Sequence, residues 1–180
     1  SGTGFVIGNN PTPYTGNSYV GNQALSINNP PSQQYVLIPY VNLAQRSFTI
    51  EMWIYVFSVP LTNDYGIFGQ CDANGICLSL SLRNGRFALS FDAMNPNNQT
   101  LFGTTITDMG SWIHLAVVYD AVLYQQRMYV NGQLDAISRG IIRPLRSTSS
   151  GSITTIGRTI SSAYGTTYFQ GYVGVVLFIS

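Results

Sequence analysis

The 180-residue chain has eight Lys+Arg against seven Asp+Glu, a net charge of +1, and is 8% charged and 45% hydrophobic. That balance argues against nucleic acid, which needs clustered cations, and it leaves the surface to uncharged polar residues with little repulsion between copies. The length suits one domain with a core that needs no metal to fold. All the basic residues are arginine, and Glu51 is the single glutamate.

Residues 1–20 are rich in Gly, Asn and Pro and read as a surface arm leading into a sandwich over 21–180, with no linker or repeat dividing the chain. No signal peptide is recognisable after Ser1, and the chain reads as a mature or trimmed form. Strands are predicted at Gln23–Asn28 and Gln34–Pro39, then a short helical turn near Asn42–Arg46. Phe48–Phe57 alternates: Phe48, Ile50, Met52, Ile54 and Val56 point one way, and Thr49, Glu51, Trp53, Tyr55 and Phe57 the other. After a strand at Tyr65–Gln70, Cys71 and Cys77 flank a turn-rich loop. In a hairpin they face each other, and a disulfide there contributes about 2 kcal/mol; two free buried thiols are the alternative. Asn84-Gly85 joins Ile76–Leu82 to Arg86–Asp92, and Asn131-Gly132 joins Arg127–Val130 to Gln133–Ile137, because Asn-Gly readily supplies positive φ. Thr100–Ile106 is a further strand. Trp112–Tyr119, apolar on both faces, is read as a central strand between packed layers. Arg139–Gly151 reads as a long loop, followed by strands at Ser152–Gly157 and Tyr168–Ile179. The longest apolar run, Gly171–Ile179, is far short of the roughly 20 residues of a transmembrane helix. About a dozen short strands without a helical stripe predict an all-β fold, a two-sheet antiparallel jelly-roll sandwich.

The order of segments carries a resemblance. The run from Gly21 to Val56 contains a Gly-Asn-x-Ala-Leu strand, a Tyr-Val-x-Ile-Pro strand and a Phe-Thr-Ile-Glu-x-Trp strand. "GSWIHLAVVYD", "RMYVNGQL", "TIGR" and "YFQGYVGVVLFIS" follow in turn. Together they resemble the laminin-G-like jelly-roll domains of the concanavalin A-like lectin and glucanase fold group, over Gly21–Ser180. The resemblance implies an extracellular or cell-surface module that binds glycans or proteins. Gly174 stands where the family usually has an acid, and the chain stops at Ser180 where many relatives continue.

Hydrolysis of glycosides uses two carboxylates. Glu51 is followed on its face by Trp53 and Tyr55, so it reads as a framework residue and the chain as a non-enzyme. His114 reads as a structural histidine of the family rather than a general base. No cofactor is required. One Ca²⁺ held by Asn63, Asp64, Asp72 or Asp108 stays open, against the plainer reading of turn residues; the pentraxins' second acidic calcium stretch is replaced here by Gly157-Arg158-Thr159-Ile160-Ser161. Loop-borne Tyr14, Tyr40, Tyr65, Tyr124, Tyr164 and Tyr168 are candidate sugar platforms, whereas Trp53 and Trp112 lie mid-strand. Asn98-Gln99-Thr100 is a glycosylation sequon. Partners are expected to be a glycan or extracellular protein. The alternative is copies of the chain itself, assembled as a homo-oligomer, fibre or coat.

Overall fold

The computed structural model describes residues 5–7, 12–14, 24–28, 33–59, 63–91, 99–146, 152–161 and 164–180, and every regular element among them is a strand. One seven-stranded sheet runs, in spatial order, β1 (Phe5–Ile7), β4 (Tyr35–Ile38), β13 (Ile153–Ile156), β6 (Asp64–Cys71), β7 (Cys77–Arg83), β8 (Arg86–Phe91), β9 (Gln99–Phe102). The second runs β12 (Gln133–Ile137), β11 (Gln125–Val130), β10 (Trp112–Asp120), β5 (Phe48–Val56), β16 (Gly171–Ile179), β3 (Ala24–Ile27), β2 (Thr12–Tyr14). A two-stranded ribbon, β14 (Arg158–Ser161) and β15 (Gly165–Tyr168), completes the set. All pairings are antiparallel, as the predicted jelly-roll sandwich requires.

The core lies between the two large sheets. Burial alternates strictly along β5, so Phe48, Ile50, Met52, Ile54 and Val56 face inward with Ile113, Leu115, Val117 and Tyr119 of β10. They meet Leu78, Leu80, Leu82, Phe87, Leu89 and Phe91 of the first sheet. Two Asn-Gly turns behave as predicted. Asn84 and Gly85, and Asn131 and Gly132, all have positive φ, the signature of the type I′ turn that matches strand twist.

The first sheet is covered on its outer side as well. The β14–β15 ribbon packs on β6 and β7, and the glycines of β6 make this possible. A Cβ on Gly66 would fall on the backbone of Thr159 and 2.5 Å from Thr167 O; one on Gly69 would lie 2.7 Å from Arg158 O. Beneath the ribbon runs a register row of small residues, Thr155, Gly69, Ser79, Ser90 and Thr100. Their hydroxyls are tied off locally: Ser90 Oγ and Thr100 Oγ1 are 2.8 Å apart, and Thr155 Oγ1 lies 3.1 Å from Gly69 O and 2.8 Å from Arg158 O.

Several expectations change. β10 is open to solvent on one side, since Trp112, His114 and Val118 are only half-buried; the strands buried on both faces are β7, packed against the ribbon, and its neighbour β8. The Asn42–Arg46 segment is a turn rather than a helix, held by Asn42 Oδ1 accepting from Ala44 N at 3.2 Å. Tyr168–Ile179 is two strands, broken at Phe169 and Gln170 because Phe169 turns into the core. The strand expected to reach Ile106 ends at Phe102, where Gly103 N bonds Phe87 O at 2.8 Å and the chain swings away. Parts of the amino-terminal arm are edge strands, β1 on β4 and β2 on β3. The first part of the expected Arg139–Gly151 loop is pinned, with Ile142 and Leu145 buried and Tyr119 donating to Ile142 O at 2.9 Å. Burial, with smaller contributions from Tyr124 and Asp120, pushes the Tyr119 phenol up to about 12.

Gly66→Ala is expected to lower stability by about 1–3 kcal/mol and to loosen 158–168 selectively. A thermal melt with hydrogen exchange checks it; unchanged protection of the ribbon would show that the close approach is not required.

Candidate functional site

With the first sheet roofed, the second sheet's outer side is the broad strand surface left to solvent. Four register rows cross it. The first is Tyr172, Tyr55 and Trp112, and the second pairs Trp53 with His114. The third is Leu177, Glu51, Ala116, Tyr129 and Leu134, and the fourth Ile179, Thr49, Val118, Arg127 and Ile137. Both tryptophans, the single histidine and the single glutamate therefore share one face. Strand periodicity alone causes this, since residues at even spacing on β5 and β10 point the same way.

The rings interlock. The Trp53 and His114 centroids are 5.0 Å apart, Tyr55 and Trp112 5.7 Å, and Trp112 and Tyr172 6.2 Å at an interplanar angle of 29°. His114 Nε2 lies 3.9 Å from Glu51 Oε2, an ion pair whenever the imidazole is protonated. The Asn131 turn is fastened to β10 by two bonds, His114 N to Asn131 Oδ1 at 2.9 Å and Asn131 N to His114 O at 2.8 Å. Two shallow grooves flank the Trp53–His114 pair. One, of about 420 Å³, is lined by Trp53, Trp112, His114 and Asn131. The other, of about 160 Å³, is lined by Glu51, Met52, Trp53, His114, Val175 and Leu177.

The candidate tyrosines are dispersed. Tyr65 OH lies 2.9 Å from Ser58 Oγ and donates to Gln170 Oε1 at 3.1 Å. Tyr168 rests on Tyr35 and donates to Gln33 Oε1 at 3.3 Å. Tyr164 faces Arg83, Tyr40 reaches Asn42 Oδ1, and Tyr124 stands at an exposed turn with φ 52°. No ring contact among the described residues joins one of these to another. The Tyr14 side chain and Asn98 lie outside the described residues.

The candidate metal ligands are also apart. Asp64 and Asp72 sit at the two ends of β6, about 26 Å from each other, too far to share an ion. Asp64 is buried and accepts from Arg83 Nε at 2.7 Å and Nη2 at 2.5 Å, with Ser81 Oγ at 3.3 Å. This bond to Asp64 holds the Arg83 guanidinium above its ordinary range despite burial. Asp72 Oδ1 caps its own loop through Asn74 N and Ile76 N. Asn63 and Asp108 are exposed. No group of three His, Cys, Asp or Glu side chains gathers among the described residues. Cys71 and Cys77 form the expected disulfide.

Asp135 carries no motif in the sequence, yet it clasps the two sheets at one side. It bridges from β12 to the loop after β9, accepting from Thr104 N at 3.0 Å and Thr105 N at 2.9 Å, and from both threonine hydroxyls. Burial alone would raise its carboxyl, but these bonds outweigh burial and hold it below the usual carboxylate range.

A family model described as the Concanavalin A-like lectin/glucanases superfamily (Laminin_G_3) matches residues 30–178. No curated protein matches the sequence. The fold is similar to that of domain 4 of a GH43 extracellular arabinanase from Geobacillus stearothermophilus, solved with arabinotriose (TM-score 0.70, 16% identity, 97% of this chain and 81% of that one). It is similar to the CBM40 of the Ruminococcus gnavus IT-sialidase bound to α2,3-sialyllactose (0.62, 15%, 75% and 76%). It also resembles mouse laminin α1 domains LG4-5 (0.62, 15%), where the match spans 80% of this chain but 38% of that one.

Two expectations follow from the ion contacts. Asp64→Ala, which leaves Arg83 without its partner, is expected to cost about 3–5 kcal/mol in a denaturant melt. Asp135 has a depressed folded value, so its stabilisation is present above the unfolded carboxylate value near about pH 4 and is lost as pH falls through the folded one. The melting difference between wild type and Asp135→Asn should therefore be large at neutral pH and shrink in acid; a constant difference would count against the clasp.

Proposed function

The chain belongs to the concanavalin A-like lectin/glucanase superfamily, and from that premise we propose a non-catalytic extracellular module that binds glycan on the outer face of the second sheet. One observation carries the reading. Solvent-facing positions of central strands are where polar residues belong, and here they hold both tryptophans beside Tyr55 and Tyr172. The four rings are half-buried, each open to solvent on one side, and an aromatic patch open to solvent and rimmed by polar groups marks a binding surface. Sugar C–H faces stack on such rings, and Asn131, His114 and Glu51 stand beside them to orient hydroxyls. The low charge suits a neutral, polyhydroxylated ligand. The arabinotriose named in the arabinanase structure is such a ligand, and the sialyllactose named in the sialidase structure, though acidic, is likewise a glycan. The Cys71–Cys77 disulfide favours an oxidising, extracellular setting. Glu51's register neighbours are Leu177 and Ala116, so no second carboxylate stands beside it in its row, where a glycoside-hydrolysing pair would place one.

Assembly of copies is favoured by a different observation. Among the described residues β16 pairs with β3 only through Gly171–Val173, while Val175, Leu177 and Ile179 beyond it are exposed. A flank of β16 left unpaired beyond Val173 would accept another strand. Particle size in solution separates the two: ordered polymers favour assembly, a monomer favours recognition.

A glycan array tests the main reading. Trp53→Ala and Trp112→Ala are each expected to weaken binding about tenfold while leaving the circular dichroism spectrum intact. Glu51 is the one carboxylate lining the two grooves, so binding should persist in EDTA. An array without binders, or tryptophan variants that bind as wild type, would overturn it.

A further inference from the structure

A second cavity, of about 240 Å³, lies on the other sheet, between the β14–β15 ribbon, the outer ends of β6 and β13 and the disulfide loop. Ile153, Ile160, Cys71, Ala73 and the bare backbone of Gly69 give it apolar walls. The threonine hydroxyls that line it are already engaged. Thr155 Oγ1 sits between Gly69 O and Arg158 O, and Thr159 Oγ1 is 3.1 Å from Thr167 Oγ1. Asp72, at the loop side, turns Oδ1 back onto the N–H groups of Asn74 and Ile76 at 2.9 and 2.8 Å.

Arg158 differs from every other group in the wall. Its Nε is buried and has no hydrogen-bond partner among the described residues, and neither ion pair found there includes it. Its guanidinium carbon lies 4.8 Å from the centre of the Tyr35 ring. Arg83, by comparison, is locked to Asp64. Buried donors in folded proteins almost always find an acceptor, and a cation at the wall of an apolar cavity is suited to one that arrives from outside.

We propose that this cavity binds a small carboxylate with a compact apolar body, its acid group on the Arg158 guanidinium and its body against Ile153 and Ile160. The fork of the guanidinium matches a carboxylate bidentately, and the Tyr35 ring backs it, 4.8 Å from its central carbon. Asp72 keeps the acid at the Arg158 end by repulsion. A sugar acid is the wrong shape of chemistry here, because its hydroxyls would lose water against isoleucine without gaining partners. The volume is below that of drug-sized pockets, which limits the ligand to about one ring or one aliphatic side chain. A free organic acid and the carboxyl-terminal residue of a peptide share this chemistry. The site is separate from the tryptophan grooves and stands whether or not those bind glycan.

Titration calorimetry or saturation-transfer NMR on the disulfide-bonded chain tests it. The probes are benzoate against benzamide, acetyl-glycyl-leucine as free acid against its amide, and glucuronate. Either free acid is expected to bind at least about tenfold more tightly than its amide, and which pair shows the difference tells a free acid from a peptide end. Arg158→Gln should produce the same loss, and Ile153→Trp, a change at an exposed wall residue that fills the cavity, should abolish binding with the fold unchanged by circular dichroism. Arg143→Gln, at an exposed position that does not line the cavity, should bind as wild type. Equal binding of acid and amide, retention of binding in Arg158→Gln or in Ile153→Trp, preference for glucuronate, or no binding of any probe at millimolar concentration would each overturn the proposal.

Discussion

The contact on which the rest of this architecture depends is backbone against backbone: the β14–β15 ribbon pressed onto Gly66 and Gly69 of β6. Two glycines remove the side chains that would hold the ribbon away. Glycine weakens a strand interior because it contributes no packing and costs more chain entropy. The structure recovers that loss by burying a second layer of threonines and serines over the first sheet. The sandwich is thereby asymmetric, with one sheet covered over β6 and β7 and the other bare on the outer side of its central strands.

This asymmetry explains what the sequence concealed. The alternation in Phe48–Phe57, the Asn-Gly turns and the Cys71–Cys77 hairpin each depend on neighbours a few residues apart, and all are visible in a one-dimensional pattern. The ribbon is not. Arg158–Ser161 reads as a polar stretch after Gly157, and only tertiary packing makes it a strand. Ser79 and Ser81 look solvent-facing for the same reason, although both are buried. Because the roof is invisible in the sequence, Trp112–Tyr119 reads as a doubly covered strand and its outward His114 as structural.

The aromatic face could have been found from spacing alone. Once Phe48, Ile50, Met52, Ile54 and Val56 are given to the core, Glu51, Trp53 and Tyr55 must face away from it. Loop tyrosines are natural candidates because loops carry function in many folds, yet several are engaged within the fold, as with Tyr65 on Ser58 and Gln170. Asp64 shows the same economy. A carboxylate at a strand entrance looks like a metal ligand, but a buried one is far more stable beside a guanidinium. Asp135 left no trace in the sequence, since its partners Thr104 and Thr105 lie some thirty residues earlier.

The face around Trp53 and Trp112 is built mainly from rings and aliphatic carbon, with Glu51 the one carboxylate in its grooves. A contact made there owes little to Coulomb attraction, so dissolved ions have little to screen. Its grip should be much the same in fresh water and in brine. Heat is the variable to which it answers, because burying ring surface changes heat capacity and bends the affinity curve with temperature.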